Sequence, residues 1–206
     1  MKKEVIEPER HYKILEYVMA TLMNKGMKAT TMDYIASSLQ ISKRTLYEIY
    51  VSKEELFKQA LSYFHNKMAD ELKKIFLQSS NVMEAIIKCF LYNRDLMSNV
   101  NADFIKDMEE FSNKENLISE SRSSHHHLML YDVLLRGVKE GYFREDANLK
   151  VQCRMLTIQM ASLKHTEELF PKDITLLDVY DSIIYSFLRG LSTRKGLDEL
   201  EKYIPS

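Results

Sequence analysis

Between Ser38 and Tyr50 the chain reads SLQISKRTLYEIY, gathering Ser42, Lys43, Arg44, Thr45, Tyr47, Glu48 and Tyr50 into one short stretch. These residue types suit a nucleic acid. Arginine and lysine meet guanine acceptors, threonine meets a thymine methyl or a phosphate, and tyrosine hydroxyls donate to phosphates. Glu48 either accepts from a cytosine amine or repels phosphate and narrows the choice of sequence. The alternative for the whole set is a solvated helix face with ordinary charges.

Such a set reads DNA only if a second helix holds it. Ile35 and Leu39 lie one turn apart, Ile41 sits in a turn, and Leu46 and Ile49 follow, so two short helices share an apolar seam. Ala36 is small where the two helices cross closely. This is the helix-turn-helix arrangement, whose second helix directs its N-terminal side chains into the major groove. Thr31 N-caps the first of the pair, over about 32–39, and Ser42 the second, over about 43–50. An earlier helix over about 9–25 ends at Gly26. Ser52 and Glu55 read as a capping box that opens a long helix to about Phe76. Thr31 and Lys53 thus stand at helix starts whose amides are further phosphate sites.

The totals fit one basic end on an acidic body. Net charge over 206 residues is −1, yet Met1 to Lys53 carries nine Lys/Arg against six Asp/Glu, leaving −4 on the remainder. That asymmetry points to a polyanion at one end only. The only prolines are Pro8, Pro171 and Pro205, and no two-residue alternation or hairpin signal occurs, so the chain reads as all-α. Further helices are expected at about 82–97, 102–111, 116–140, 148–168 and 174–191. No apolar run reaches the roughly 18 residues of a membrane span, and MKKEVIEPER lacks the apolar segment of a signal peptide. Cys89 and Cys153 have no CxxC partner and read as free thiols in a reducing cytoplasm.

The run GMKATTMDYIASSLQISKRTLYEIYVSKEEL closely resembles the DNA-binding domain of the TetR family of bacterial transcriptional regulators. The shared features are Gly26 ending the first helix, Thr30-Thr31 before Ile35-Ala36, Ser42-Lys43 at the turn, Thr45-Leu46-Tyr47, and Ser52-Lys53-Glu54-Glu55-Leu56. The resemblance covers about Ile14 to Phe57. It departs at Gln40, where the family usually has glycine, so the backbone there must avoid or tolerate a positive φ. It departs again at Arg44, a long side chain in place of glycine or alanine, which reads bases or only touches phosphate.

Beside that domain the resemblance implies a larger helical body that binds an effector and dimerises. The 174–191 helix is apolar around most of its circumference, with Leu176, Tyr180, Ile183, Phe187 and Leu191 in one stripe and Leu177, Ile184 and Leu188 in the next. Two stripes suggest one face for the chain's own core and one for a partner. Together with Val151, Met155 and Ile158, the residues Leu177, Tyr180, Ile184, Phe187 and Leu188 form the expected dimer interface, of the four-helix type that the resemblance implies. Phe90, Met97, Phe104, Met108, Met129 and Met155 are the expected apolar lining of an effector pocket, with Tyr131 and Gln159 as polar handles; each is otherwise a core residue. His125, His126 and His127 point about 100° apart on a helix and cannot converge on one metal ion. No cofactor, metal site or enzyme motif is expected.

The expectation is an all-α chain with a three-helix DNA-binding head at 1–52 and a helical effector-binding and dimerisation domain at 53–206. Its function is that of a cytoplasmic, homodimeric repressor released from a palindromic operator by a small apolar or amphipathic molecule. The rival readings are a regulator of the same fold with no effector or under a partner's control, and an all-α enzyme or lipid carrier.

Overall fold

The computed structural model describes residues 8–114 and 120–203, the side chains at 8, 102, 106, 109, 112–114 and 120–128 excepted. Helices follow one another along these residues. They are α1 (Pro8–Ala29), α2 (Met32–Ser38), α3 (Lys43–Ile49), α4 (Lys53–Gln78), α5 (Val82–Ser98) and α6 (Ala102–Lys114). After them come α7 (Glu120–Lys139), α8 (Leu149–Ser162), α9 (Thr166–Leu169), α10 (Leu176–Leu191) and α11 (Arg194–Leu200). Among the described residues there is no strand, only an isolated antiparallel bridge between Phe143 and Ser192.

The chain packs as two compact units that do not follow the expected division at residue 52. The first takes in the chain up to Leu72 together with Asn99–Glu110; the second comprises Lys73–Ser98 and the chain from Phe111 onward. Contacts, not sequence order, draw the boundary, and both α4 and α6 have residues in each unit.

In the first unit, α1 is interrupted at Gly26, whose φ of 77° and ψ of 165° lie in a region open to glycine alone. α1 buries Ile14, Leu15, Val18, Met19 and Leu22, and α4 buries Leu56, Phe57, Ala60 and Leu61. The short helices α2 and α3 cross as expected, with Ile35, Ala36 and Leu46 almost wholly buried. The turn between them passes through Gln40 at φ 54°, so the residue standing in for glycine tolerates the left-handed conformation.

In the second unit, α5, α7, α8 and α10 enclose a core that includes Val82, Met83, Ile87, Leu134, Phe143, Cys153, Leu156 and Leu188. α10 opens on a complete capping box between Thr175 and Asp178. α11 went unanticipated because its seven residues carry Gly196; a Cβ there would collide with the Tyr142 carbonyl, so the glycine marks close approach rather than a helix end.

Candidate nucleic-acid interface

Ser42 caps α3 by accepting from the Thr45 amide at 2.9 Å, and its hydroxyl shares a 2.8 Å hydrogen bond with Thr45 Oγ1. Thr31 caps α2 by accepting from the Tyr34 amide at 3.1 Å. Local capping therefore fixes both helices of the hairpin, as the sequence suggested. α3 presents Lys43, Arg44 and Tyr47 to solvent. Lys43 Nζ lies 2.8 Å from Asp33 and Arg44 Nε lies 2.9 Å from Glu48, and these carboxylates raise both cations above their ordinary values. Exposed pairs of this kind are weak and exchange readily for a phosphate or a base edge. Glu48 is thereby given a place: it holds the Arg44 guanidinium along the helix.

Tyr50 does not belong to this face. It is 1% exposed, because it follows the last turn of α3 in an extended conformation (φ −119°, ψ 118°) that swings its ring inward. There it stacks on His11, its hydroxyl 3.0 Å from His11 Nδ1. Burial raises its phenol well above the usual range. Lys53 is half-buried and donates to the Met27 carbonyl at 3.0 Å, its ammonium 5.0 Å from the Phe57 ring centre. It works first within the head. Tyr34 was not singled out, yet Lys25 Nζ sits 4.1 Å from its ring centre and a hydrogen bond from Lys25 lowers its phenol, adding a hydroxyl on α2 and a cation on α1.

The expected pocket residues are dispersed. Phe104 and Met108 belong to the first unit, the other six to the second. Phe90 lines a narrow apolar cavity of about 10 Å³ with Ile87, Leu91, Tyr180 and Tyr185. At its edge Arg94 Nε reaches both Asp181 oxygens, at 2.7 and 2.9 Å. Tyr131 lines a separate surface cleft of about 300 Å³ with Leu135, Val138, Asn148 and Lys150. Met97 packs at the margin of the second unit's core, whereas Met129 and Met155 are 57% and 48% exposed and Gln159 is exposed as well.

The expected interface divides in the same way. Val151, Met155 and Ile158 form an apolar stripe on α8 that is about half exposed, at 49%, 48% and 59%. Tyr180, Ile184, Phe187 and Leu188 are buried inside the chain's own core, so that part of the assignment is corrected. α5 and α8 both pack on α10 and use the apolar circumference that was read as a partner's share. Leu177 is half-buried. His125, His126 and His127 fall outside the described side chains, and among the described residues no cluster of histidine, cysteine or carboxylates is placed to hold a metal ion. Burial pushes the Cys89 and Cys153 thiols up to about 11, so neither is a nucleophile at neutral pH. No helix among the described residues is long and apolar enough to cross a membrane.

Residues 14–60 match the family model described as bacterial regulatory proteins, tetR family. The chain is 26% identical over 151 residues to the HTH-type transcriptional repressor KstR2 of Mycobacterium tuberculosis, an alignment covering 71% of this chain and 76% of that protein. The structure described as the ketosteroid transcriptional regulator KstR2 superposes with a TM-score of 0.55 at 22% identity, over 94% of this chain and all of the other. A transcriptional regulator from Saccharomonospora viridis in complex with choline gives a TM-score of 0.72 at 14% identity, over 91% of this chain and 100% of that one. At those identities the two structures speak for the fold alone.

Proposed function

We propose that this chain, whose head belongs to the tetR family of bacterial regulatory proteins, is a DNA-binding transcriptional repressor rather than an enzyme. The observation that carries the reading is α3: a helix capped by Ser42, held on α2 through Leu46, with Lys43, Arg44 and Tyr47 exposed together. Lys43 and Tyr47 contact phosphates, Arg44 reads a base edge in the major groove, and the Thr31 and Ser42 hydroxyls add phosphate contacts at the two caps. Glu48 lends direction to Arg44. The protein acts in the cytoplasm as a homodimer on a palindromic site. The half-exposed stripe of Val151, Met155 and Ile158 on α8 supports the dimer.

Release comes from a small apolar or amphipathic effector in the second unit, a class in keeping with the ketosteroid description of KstR2. Of the two cavities described, the partly open one beside Phe90 holds about 10 Å³, the space of a single water, whereas the cleft beside Tyr131 holds about 300 Å³, enough for a small ligand. The test of the main reading is footprinting on DNA flanking the protein's own gene, titrated across salt concentration. A protected palindrome with a steep salt dependence is the expected result. Sequence-blind binding at every salt concentration would refute it.

A further inference from the structure

Asn99–Glu110 packs with the head although it lies outside residues 14–60 and about eighty residues from α1 along the chain. Asn101 donates its backbone N–H to the Met23 carbonyl at 2.8 Å and its side-chain amide to the Asn24 carbonyl at 3.4 Å. These carbonyls end the regular part of α1, where helical partners run out. On the other side of Gly26, Asp107 Oδ2 accepts from the amides of Met27, at 3.0 Å, and Lys28, at 3.3 Å. Its Oδ1 pairs with Lys28 Nζ at 3.0 Å. The Asp107 side chain is 7% exposed, so the carboxylate has left water for these partners.

The same peptide is held from its other face, where Lys53 Nζ donates to the Met27 carbonyl, and Thr30 Oγ1 donates to the Gly26 carbonyl at 2.7 Å. The Gly26 turn is thus clasped on its amide side by Asp107 and on its carbonyl side by Lys53. α2 starts five residues after Met27, so this turn sets the direction in which the α2–α3 hairpin leaves α1. A buried carboxylate and two turn amides are costly to leave unpaired, which makes the clasp close as a unit or not at all.

From this geometry we infer that Asp107 is a positioning residue for DNA reading: a carboxylate outside the DNA-binding sequence that fixes the orientation of the recognition helix. The inference rests on α3 being the DNA reader. It extends the DNA-binding machinery to a segment outside residues 14–60.

The test uses the full chain with Asp107→Ala, Asp107→Asn and the control Glu110→Gln, on an operator selected from random duplexes by the wild-type protein. Asp107→Ala is expected to lower operator affinity roughly tenfold while leaving affinity for unrelated duplex unchanged, because the phosphate-binding cations remain. Asp107→Asn, which keeps one oxygen for the amides, recovers part of the loss, and Glu110→Gln behaves as wild type. Amide hydrogen exchange at Met27 and Lys28 accelerates in Asp107→Ala, a readout that needs no DNA. An equal loss on both DNAs in step with lower thermal stability would show a merely structural role and overturn the inference. Wild-type operator affinity in Asp107→Ala overturns it as well. If the wild-type protein selects no sequence, the DNA-reading role of α3 fails instead, and unchanged exchange at Met27 and Lys28 would independently remove the clasp.

Discussion

Replacing Gly26 with alanine tests how much the head depends on one backbone conformation. At φ 77° and ψ 165° an L-residue is strained, at a cost on the order of 1–3 kcal/mol. Alanine also restricts the unfolded chain and returns roughly 0.4–1 kcal/mol. The new Cβ would sit 3.3 Å from Asp107 Oδ2 and 3.7 Å from Asp103 Cβ, so the clasp must give by a few tenths of an ångström. The net expectation is a loss of about 2 kcal/mol, or about 4–8 °C in Tm for a chain of this size. Gly190→Ala is the matched control. Its Cβ meets nothing within 4 Å, it lies inside α10, and helix propensity predicts a gain of up to about 1 kcal/mol. Thermal unfolding followed by far-ultraviolet circular dichroism separates the two. Equal Tm changes of the same sign would mean that the Gly26 turn relaxes without strain, and the account of the α1 terminus would be wrong.

Four other outcomes follow from the same geometry. Glu84, near the start of α5, is lowered from 4.5 to about 2, mainly by Lys88 at 2.6 Å and then by the Ser80 amide at 2.7 Å. A lowered carboxylate stabilises the fold fully above pH 4.5 and loses that contribution as pH falls through about 2; Glu84→Gln should therefore flatten the decline of Tm in that window, and an unchanged decline would remove Glu84 as its source. Ile158→Glu, on the half-exposed α8 stripe, should convert the dimer to monomer in sedimentation velocity and weaken operator binding; a dimer that survives at micromolar concentration would place the interface elsewhere. Tyr50→Phe should cost about 1 kcal/mol of stability without altering the salt slope of DNA binding, whereas Lys43→Ala should reduce that slope by about one. A changed slope in Tyr50→Phe would return Tyr50 to the DNA face.

Much of the head is legible in sequence because its signals are local. Thr31, Ser42 and Ser52 each cap an amide three residues ahead, and such caps form wherever their spacing occurs. Gly26 announces a break that only glycine can make, and Gln40 announces a tolerated one. Tyr50 marks the limit of the same reasoning: a helical wheel places it outward, but the chain has left the helix by then and its extended backbone turns the ring onto His11.

The body was less legible because apolar residues do not say what covers them. A helix such as α10, apolar on two stripes, fits a dimer or a monomer core equally well until α5 and α8 are seen packed on it. The sequence by itself determined the helical class, the caps of α2 and α3 and the outward placement of Lys43, Arg44 and Tyr47, all fixed by contacts within a few residues. Only the tertiary structure decided that Tyr50 is internal, that most of α10 serves its own chain, and that Asp107 closes the Gly26 turn from eighty residues away. The physical reason is one of range: capping and φ preferences act along the chain, whereas burial and the pairing of a carboxylate depend on what the fold brings alongside.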